Sequence, residues 1–263
     1  MMMKKFSDHT VIISGAAGDI GRETVLEFAR LGADIAAGDI VPFEQIRELK
    51  NQVEVLGRRF HYQKCDVTCD QEVNHWIDTV KQELTLPDIV VSNAGVTKEM
   101  DLRQISYEEW QRQISINLNG AFNLLVNCAN RLAATKKAGR MVVVGSWAAE
   151  QVHRTLPAYC TSKAGLRMLM KNLASEYAQD QILVNEIAPG VVDAGLSAKI
   201  FRESPEIKED LIKQIPVGRF LDPLDVAQQI AYLSSFENLH VTGTVMLMDG
   251  GLSLNRCRST KKE

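Results

Sequence analysis

Short apolar runs recur along this chain at intervals that very few architectures accommodate. They read TVIIS (10–14), ADIAAGD (33–39), FHYQKCD (60–66), DIVVSNAG (88–95), RMVVVGS (140–146), ILVNEIAPG (182–190) and TVMLMDGG (244–251). Each has the length of a buried strand, and most have its β-branched content. Between them the apolar spacing changes to that of a helix. In GRETVLEFARLGA, Val25, Leu26, Phe28, Ala29 and Leu31 form one stripe, and Gly32 ends it as a C-terminal cap. The same periodicity predicts helices over 43–56, 70–84, 106–135, 158–178 and 223–236. Strands joined by such helices lie parallel, because each crossover returns the chain to the same end of the sheet. The expectation is an α/β fold, a doubly wound parallel sheet of about seven strands with helices on both faces.

No internal repeat, low-complexity tract or linker interrupts the 263 residues, so 1–263 reads as a single domain ending in a polar, basic tail at 255–263. A net charge of −3 argues against a nucleic-acid or anionic-membrane binder. No apolar run approaches a membrane span, and MMMKKFSDHT lacks the apolar core of a signal peptide. Cys65, Cys69, Cys128, Cys160 and Cys257 match no metal-site spacing and read as reduced thiols, so no metal and a cytoplasmic location are expected.

The first strand runs directly into S-G-A-A-G-D-I-G, residues 14–21, and then into a helix. Glycines there let the backbone approach a pyrophosphate, and the helix N-terminus offers free N–H groups and a positive dipole. Asp39 ends the second run, 18 residues past Gly21, where a carboxylate accepts from ribose hydroxyls and repels a 2′-phosphate. No Arg or Lys stands in the glycine turn or directly after Asp39 to bind such a phosphate. NAD is therefore the expected cofactor.

With these residues in place, residues 7–253 resemble the short-chain dehydrogenase/reductase family, a Rossmann fold. Ser14, Gly15 and Gly21 match its Thr-Gly-x-x-x-Gly-x-Gly turn, while Asp19 stands at the usual middle glycine, next to Ile20, and glycine has moved to position 18. An Asp at that helix start is expected to act as an N-cap. The resulting glycine spacing also resembles the longer epimerase/dehydratase branch, but VTGTVMLMDGG resembles the closing strand of the short branch. The resemblance implies that Asp66 and Val67 contact adenine and that Asn93, Ala94 and Gly95 flank the cofactor. It further implies that Pro189, Gly190 and Val192 wrap the nicotinamide, with Ala194 lacking the hydroxyl the family often has there.

AYCTSKAG places Tyr159 and Lys163 one helical turn apart, about 5–6 Å. A free phenol, with a pKa near 10, is a poor base at neutral pH, and a neighbouring ammonium favours the phenolate. Ser146 falls 13 residues before Tyr159, at the end of a strand, where open α/β sheets hold their ligands. In the family, a serine at this spacing orients the substrate oxygen, and an asparagine at the position of Asn117 kinks a long helix and anchors a proton relay. The resemblance thus implies the tetrad Asn117, Ser146, Tyr159 and Lys163, with Tyr159 and Lys163 also touching the cofactor. Trp147, His153 and Arg154 fall where the family lines its substrate pocket, and residues 193–216, with Leu196, Ile200 and Phe201, where it carries a substrate lid. Cys160 is expected to pack away from the chemistry.

The expected activity is hydride transfer between NAD(H) and a secondary alcohol or ketone, a sugar or polyol ranking first. A 3-oxoacyl thioester reductase and a non-catalytic dinucleotide-sensing scaffold are the alternatives. The resemblance implies a homotetramer through the two long helices and the last strand. Leu124, Leu125, Cys128 and Leu132 are expected to supply apolar surface beyond what one sheet face needs.

Overall fold

The computed structural model describes residues 5–195 and 205–254. The expected strands appear as β1 (Thr10–Ser14), β2 (Asp34–Asp39), β3 (Phe60–Lys64), β4 (Ile89–Ser92), β5 (Gly139–Val144), β6 (Ile182–Pro189) and β7 (Val245–Met248). They form one seven-stranded sheet in the order β3-β2-β1-β4-β5-β6-β7. Every pairing is parallel. This is the doubly wound, Rossmann-like arrangement the alternation called for.

Alternation along each strand divides the core into two layers. Ile12, Val90, Met141, Val143 and Val184 face one side, where α3 (Asp70–Glu83), α5 (Gly120–Ala134) and α6 (Pro157–Tyr177) cover them. Val11, Ile13, Val91, Val142 and Ile187 face the other, against α1 (Asp19–Arg30), α2 (Arg47–Val55) and α8 (Pro223–Leu233). Burying one such aliphatic side chain stabilises the fold by about 1.5–3 kcal/mol. Leu124, Leu125, Cys128 and Leu132 are all fully buried within the chain's own core. They are therefore not surplus surface, because the α5 stripe is filled by α3, α6 and the sheet beneath it.

Two further differences from the sequence reading bear on the site. The helix expected over 106–135 is three pieces: α4 (Tyr107–Ile114), a π-helical turn (Ser115–Asn119) and α5. The α1 cap is Gly18 rather than Asp19, since the Gly18 carbonyl already accepts the Arg22 N–H at 2.8 Å and closes the first turn. Gly32, at φ 99°, lies just past the C-cap Leu31, as the end of that stripe requires. Of the expected lid, α7 (Pro205–Gln214) is helical, while Leu196, Ile200 and Phe201 lie outside the described residues, as do Cys257 and the tail.

β1 lies between β2 and β4, so the chain leaves it toward one edge first and toward the other afterwards. The crevice above the strand ends at such a reversal is where open α/β sheets bind ligands.

Candidate active site

The glycine turn crosses that crevice with almost no side-chain bulk. Gly15 has φ 66°, and a Cβ on Gly21 would lie 2.1 Å from the Gly15 carbonyl oxygen. No side chain caps the α1 N-terminus. Asp39, at the end of β2, accepts the Ala17 N–H at 2.9 Å and the Ile40 N–H at 2.7 Å, which fixes its carboxylate beside the turn. Asn93 ties β4 to the same turn, its Nδ2 donating to the carbonyls of Ser14 at 3.2 Å and Gly15 at 2.9 Å. The Asn93 and Ala94 N–H groups both donate to Ser14 Oγ. Asp66 braces its own loop by accepting from Thr68, and Val67 packs over Gly120 while its carbonyl accepts from Asn123.

A cleft of about 670 Å³ runs from Asp39 past Gly15, Ile20 and Gly95 to Ser146, Tyr159 and Lys163. Asp19, Gly21, Asp66, Val67, Asn93, Ala94, Pro189, Gly190 and Val192 also line it. Every expected cofactor contact thus borders one continuous space. Asn117 is fully buried beneath it, while a Cβ on Gly95 would sit 3.4 Å from its Oδ1 and 3.5 Å from Lys163 Nζ. The glycine-walled turn at one end and the Asp39 carboxylate beside it fit a dinucleotide. Within that lining Asp19 accepts the Gly195 N–H at 2.8 Å, so its carboxylate links α1 to the start of the expected lid.

At the other end the strand-end position of Ser146 and the helical pitch of α6 converge. Burial holds the Tyr159 phenol above its usual value, with Ser146 beside it acting to lower it. The Lys163 ammonium lies 5.7 Å from the Tyr159 ring centre and donates to the Val144 carbonyl at 2.8 Å. Burial pushes Lys163 down to about 8, with Glu186 acting in the opposite direction. The sequence reading gave the acidifying role to Lys163 and the charge of an oxidised nicotinamide; Ser146 acts in the same direction.

Asn117 sits in the π-turn for a physical reason. Its Oδ1 accepts the Val96 N–H at 2.7 Å, and its Nδ2 donates to the Val96 carbonyl at 2.9 Å and to Ser162 Oγ at 3.0 Å. The extra residue in the turn brings this amide inward without ending the helix, a pattern frequent at functional sites. His153 stacks edge-on against Trp147 at 4.7 Å, and burial lowers its pKa. Arg154 is 91% exposed with Asp101 as its nearest carboxylate at 3.8 Å, so it behaves as a solvated loop residue. Cys160 is partly buried and free.

The family model described as enoyl-(acyl carrier protein) reductase matches residues 15–253. A solved short-chain type dehydrogenase/reductase from Mycobacterium marinum superposes with a TM-score of 0.89 at 26% identity, covering 96% of this chain and 98% of the other. This chain is a short-chain dehydrogenase/reductase. It is 34% identical to the 3-oxoacyl-[acyl-carrier-protein] reductase of Thermotoga maritima, over 92% of this chain and 96% of that protein. It is 29% identical to the 2-dehydro-3-deoxy-D-gluconate 5-dehydrogenase of Pseudoalteromonas atlantica, over 95% and 98% of the two chains. As a member of this family it is an NAD(P)-dependent oxidoreductase.

Sequence reasoning missed one feature of this dehydrogenase/reductase site. Arg167 and Glu186, both nearly or fully buried, pair directly beneath Ser146. The signal was present, since a carboxylate in the middle of ILVNEIAPG demands a partner.

Proposed function

We propose that this dehydrogenase/reductase transfers a hydride between NAD(H) and a secondary alcohol or ketone, the substrate being a sugar, polyol or similar small hydroxy compound. The observation that carries the reading is that Ser146, Tyr159 and, one turn on, Lys163 line together the far end of the cleft that begins at Asp39. When bound, the nicotinamide supplies or accepts the hydride. Tyr159 takes the hydroxyl proton during oxidation and returns it during reduction. Ser146 orients the substrate oxygen, Lys163 favours the phenolate, and Asn117 anchors the route by which the proton leaves. A sensing scaffold would need none of these four.

Asp39 favours NAD over NADP. A 2′-phosphate about 4 Å from its carboxylate would be repelled by about 4 kcal/mol at an effective dielectric near 20. Solvent relaxation reduces this to about 2–3 kcal/mol, or roughly 30- to 150-fold. NAD is therefore expected to exceed NADP by at least about one decade in kcat/KM, and Asp39→Ser with Gly18→Arg to narrow or reverse the ratio. Initial rates with both cofactors across sugars, polyols and hydroxy acids check this. Equal use of NADP by the wild type would remove the role given to Asp39.

Similarity to the Thermotoga maritima reductase favours a second reading, reduction of a 3-oxoacyl thioester. A 3-oxoacyl thioester in the same panel separates the two. If it outperforms every polyol, the second reading replaces the first. The location we infer is cytoplasmic; among the described residues no helix is long and apolar enough to cross a membrane. For assembly we infer a homotetramer, supported by Phe122 on α5, Met168 on α6 and Leu247 on β7, which are 49%, 57% and 45% exposed.

A further inference from the structure

Glu186 is fully buried on β6, one of the few charged groups in the core. Gly145 makes room for it, since a Cβ there would lie 2.0 Å from Glu186 Oε1. Arg167 on α6 meets the carboxylate as a fork, its Nε and Nη2 donating to Oε2 and Oε1 at 2.9 Å each. The same guanidinium donates from Nη2 to the Ser146 carbonyl at 3.1 Å and from Nη1 to the Glu150 carboxylate. One turn earlier on α6, Lys163 donates to the Val144 carbonyl at 2.8 Å. Two cations on one helix therefore grip carbonyls two residues apart at the end of the strand that presents Ser146.

Side by side in a buried setting, these cations repel each other, and only a nearby carboxylate offsets that. The charged and titratable groups around Lys163 are Tyr159 and Arg167 on its own helix and Glu186 on β6, with Glu150 beyond Arg167. The π-turn contributes the uncharged Asn117. Glu186 is the carboxylate whose charge favours the Lys163 ammonium, while Glu150 is more exposed and lies on the far side of the guanidinium.

We propose that Arg167 and Glu186 are positioning residues for hydride transfer. The pair fixes Ser146 through its carbonyl, and Glu186 neutralises the Arg167 cation that α6 places one turn from Lys163. The proposal rests on reading Tyr159, Lys163 and Ser146 as the reacting groups.

Lysine-selective NMR titration of the cofactor-free protein, with Lys163→Arg identifying the resonance, reads the second role directly. Glu186→Gln is expected to lower the Lys163 inflection by about 1 pH unit. Arg167→Met with Glu186→Gln removes both charges and is expected to return the inflection toward the wild-type position. That double variant removes the Arg167–Glu186 pair as a unit and leaves neither member of it buried without its partner, so it folds even where the single variant does not. Its kcat is nevertheless expected to fall about 10-fold or more, because Ser146 is no longer held, while KM for NADH stays unchanged. An unshifted Lys163 inflection in Glu186→Gln, or wild-type kcat in the double variant, would overturn the proposal. The titration uses neither cofactor nor substrate, so it judges the pair independently of Tyr159→Phe, which judges the site itself.

Discussion

Lys163 is the residue whose environment makes the sharpest demand on the chemistry, because burial brings its proton loss down to about 8. In the mechanism proposed above, carbonyl reduction uses Tyr159 as the phenol and Lys163 as the ammonium. Both are protonated at low pH, so kcat/KM for reduction is expected to be level there and to fall as pH rises through about 8. Lys163→Arg keeps a charge that does not titrate, so that fall should vanish from its profile even at a reduced rate. A fall at the same pH in Lys163→Arg would assign the titration to another group. At this scale, Tyr159, Lys163 and Ser146 were legible because one helical turn and a strand end fix where their side chains go. Arg167 and Glu186 were harder to read, since their contact joins α6 to β6 across 19 residues. Leu124 and Leu125 were misread because a sequence stripe does not reveal how many neighbours will cover it.

Among the elements, the glycine turn and the π-turn carry the site. A methyl group at position 21 would meet the Gly15 carbonyl oxygen at 2.1 Å and the Ala16 Cα at 2.9 Å, and both are backbone that cannot swing aside. Gly21→Ala is therefore expected to destabilise the protein by about 1–3 kcal/mol and to weaken NADH binding. Urea unfolding and quenching of bound-cofactor fluorescence measure the two effects. Wild-type values for both would show that the turn relaxes freely. The strands were legible from β-branched runs, and their boundaries moved by only a few residues. The π-turn was not visible as an element, because one inserted residue barely disturbs helical periodicity. Its cause, the two hydrogen bonds between Asn117 and Val96, joins segments 21 residues apart. Asp19 was misassigned as a cap for a related reason, since its partner Gly195 is distant in sequence.

For the molecule as a whole, strand–helix alternation was enough to anticipate a parallel sheet with both faces covered, and the glycine turn pointed to the sheet edge where the cleft lies. Assembly was far less legible, because surface left over after folding can be judged only once the core is filled. Exposed Phe122, Met168 and Leu247 lie on the helices and strand expected to meet other copies. Light scattering at micromolar concentration is expected to give the mass of four chains, and a monomer would refute that assembly. The central claim, that Tyr159 moves the proton in an NAD-linked hydride transfer, has a more direct test. Steady-state turnover and NADH affinity of Tyr159→Phe are compared with wild type, using the best alcohol from the substrate panel. Turnover is expected to fall by roughly 10²-fold or more while NADH binds as tightly as before. Near-wild-type turnover in that variant would contradict the account.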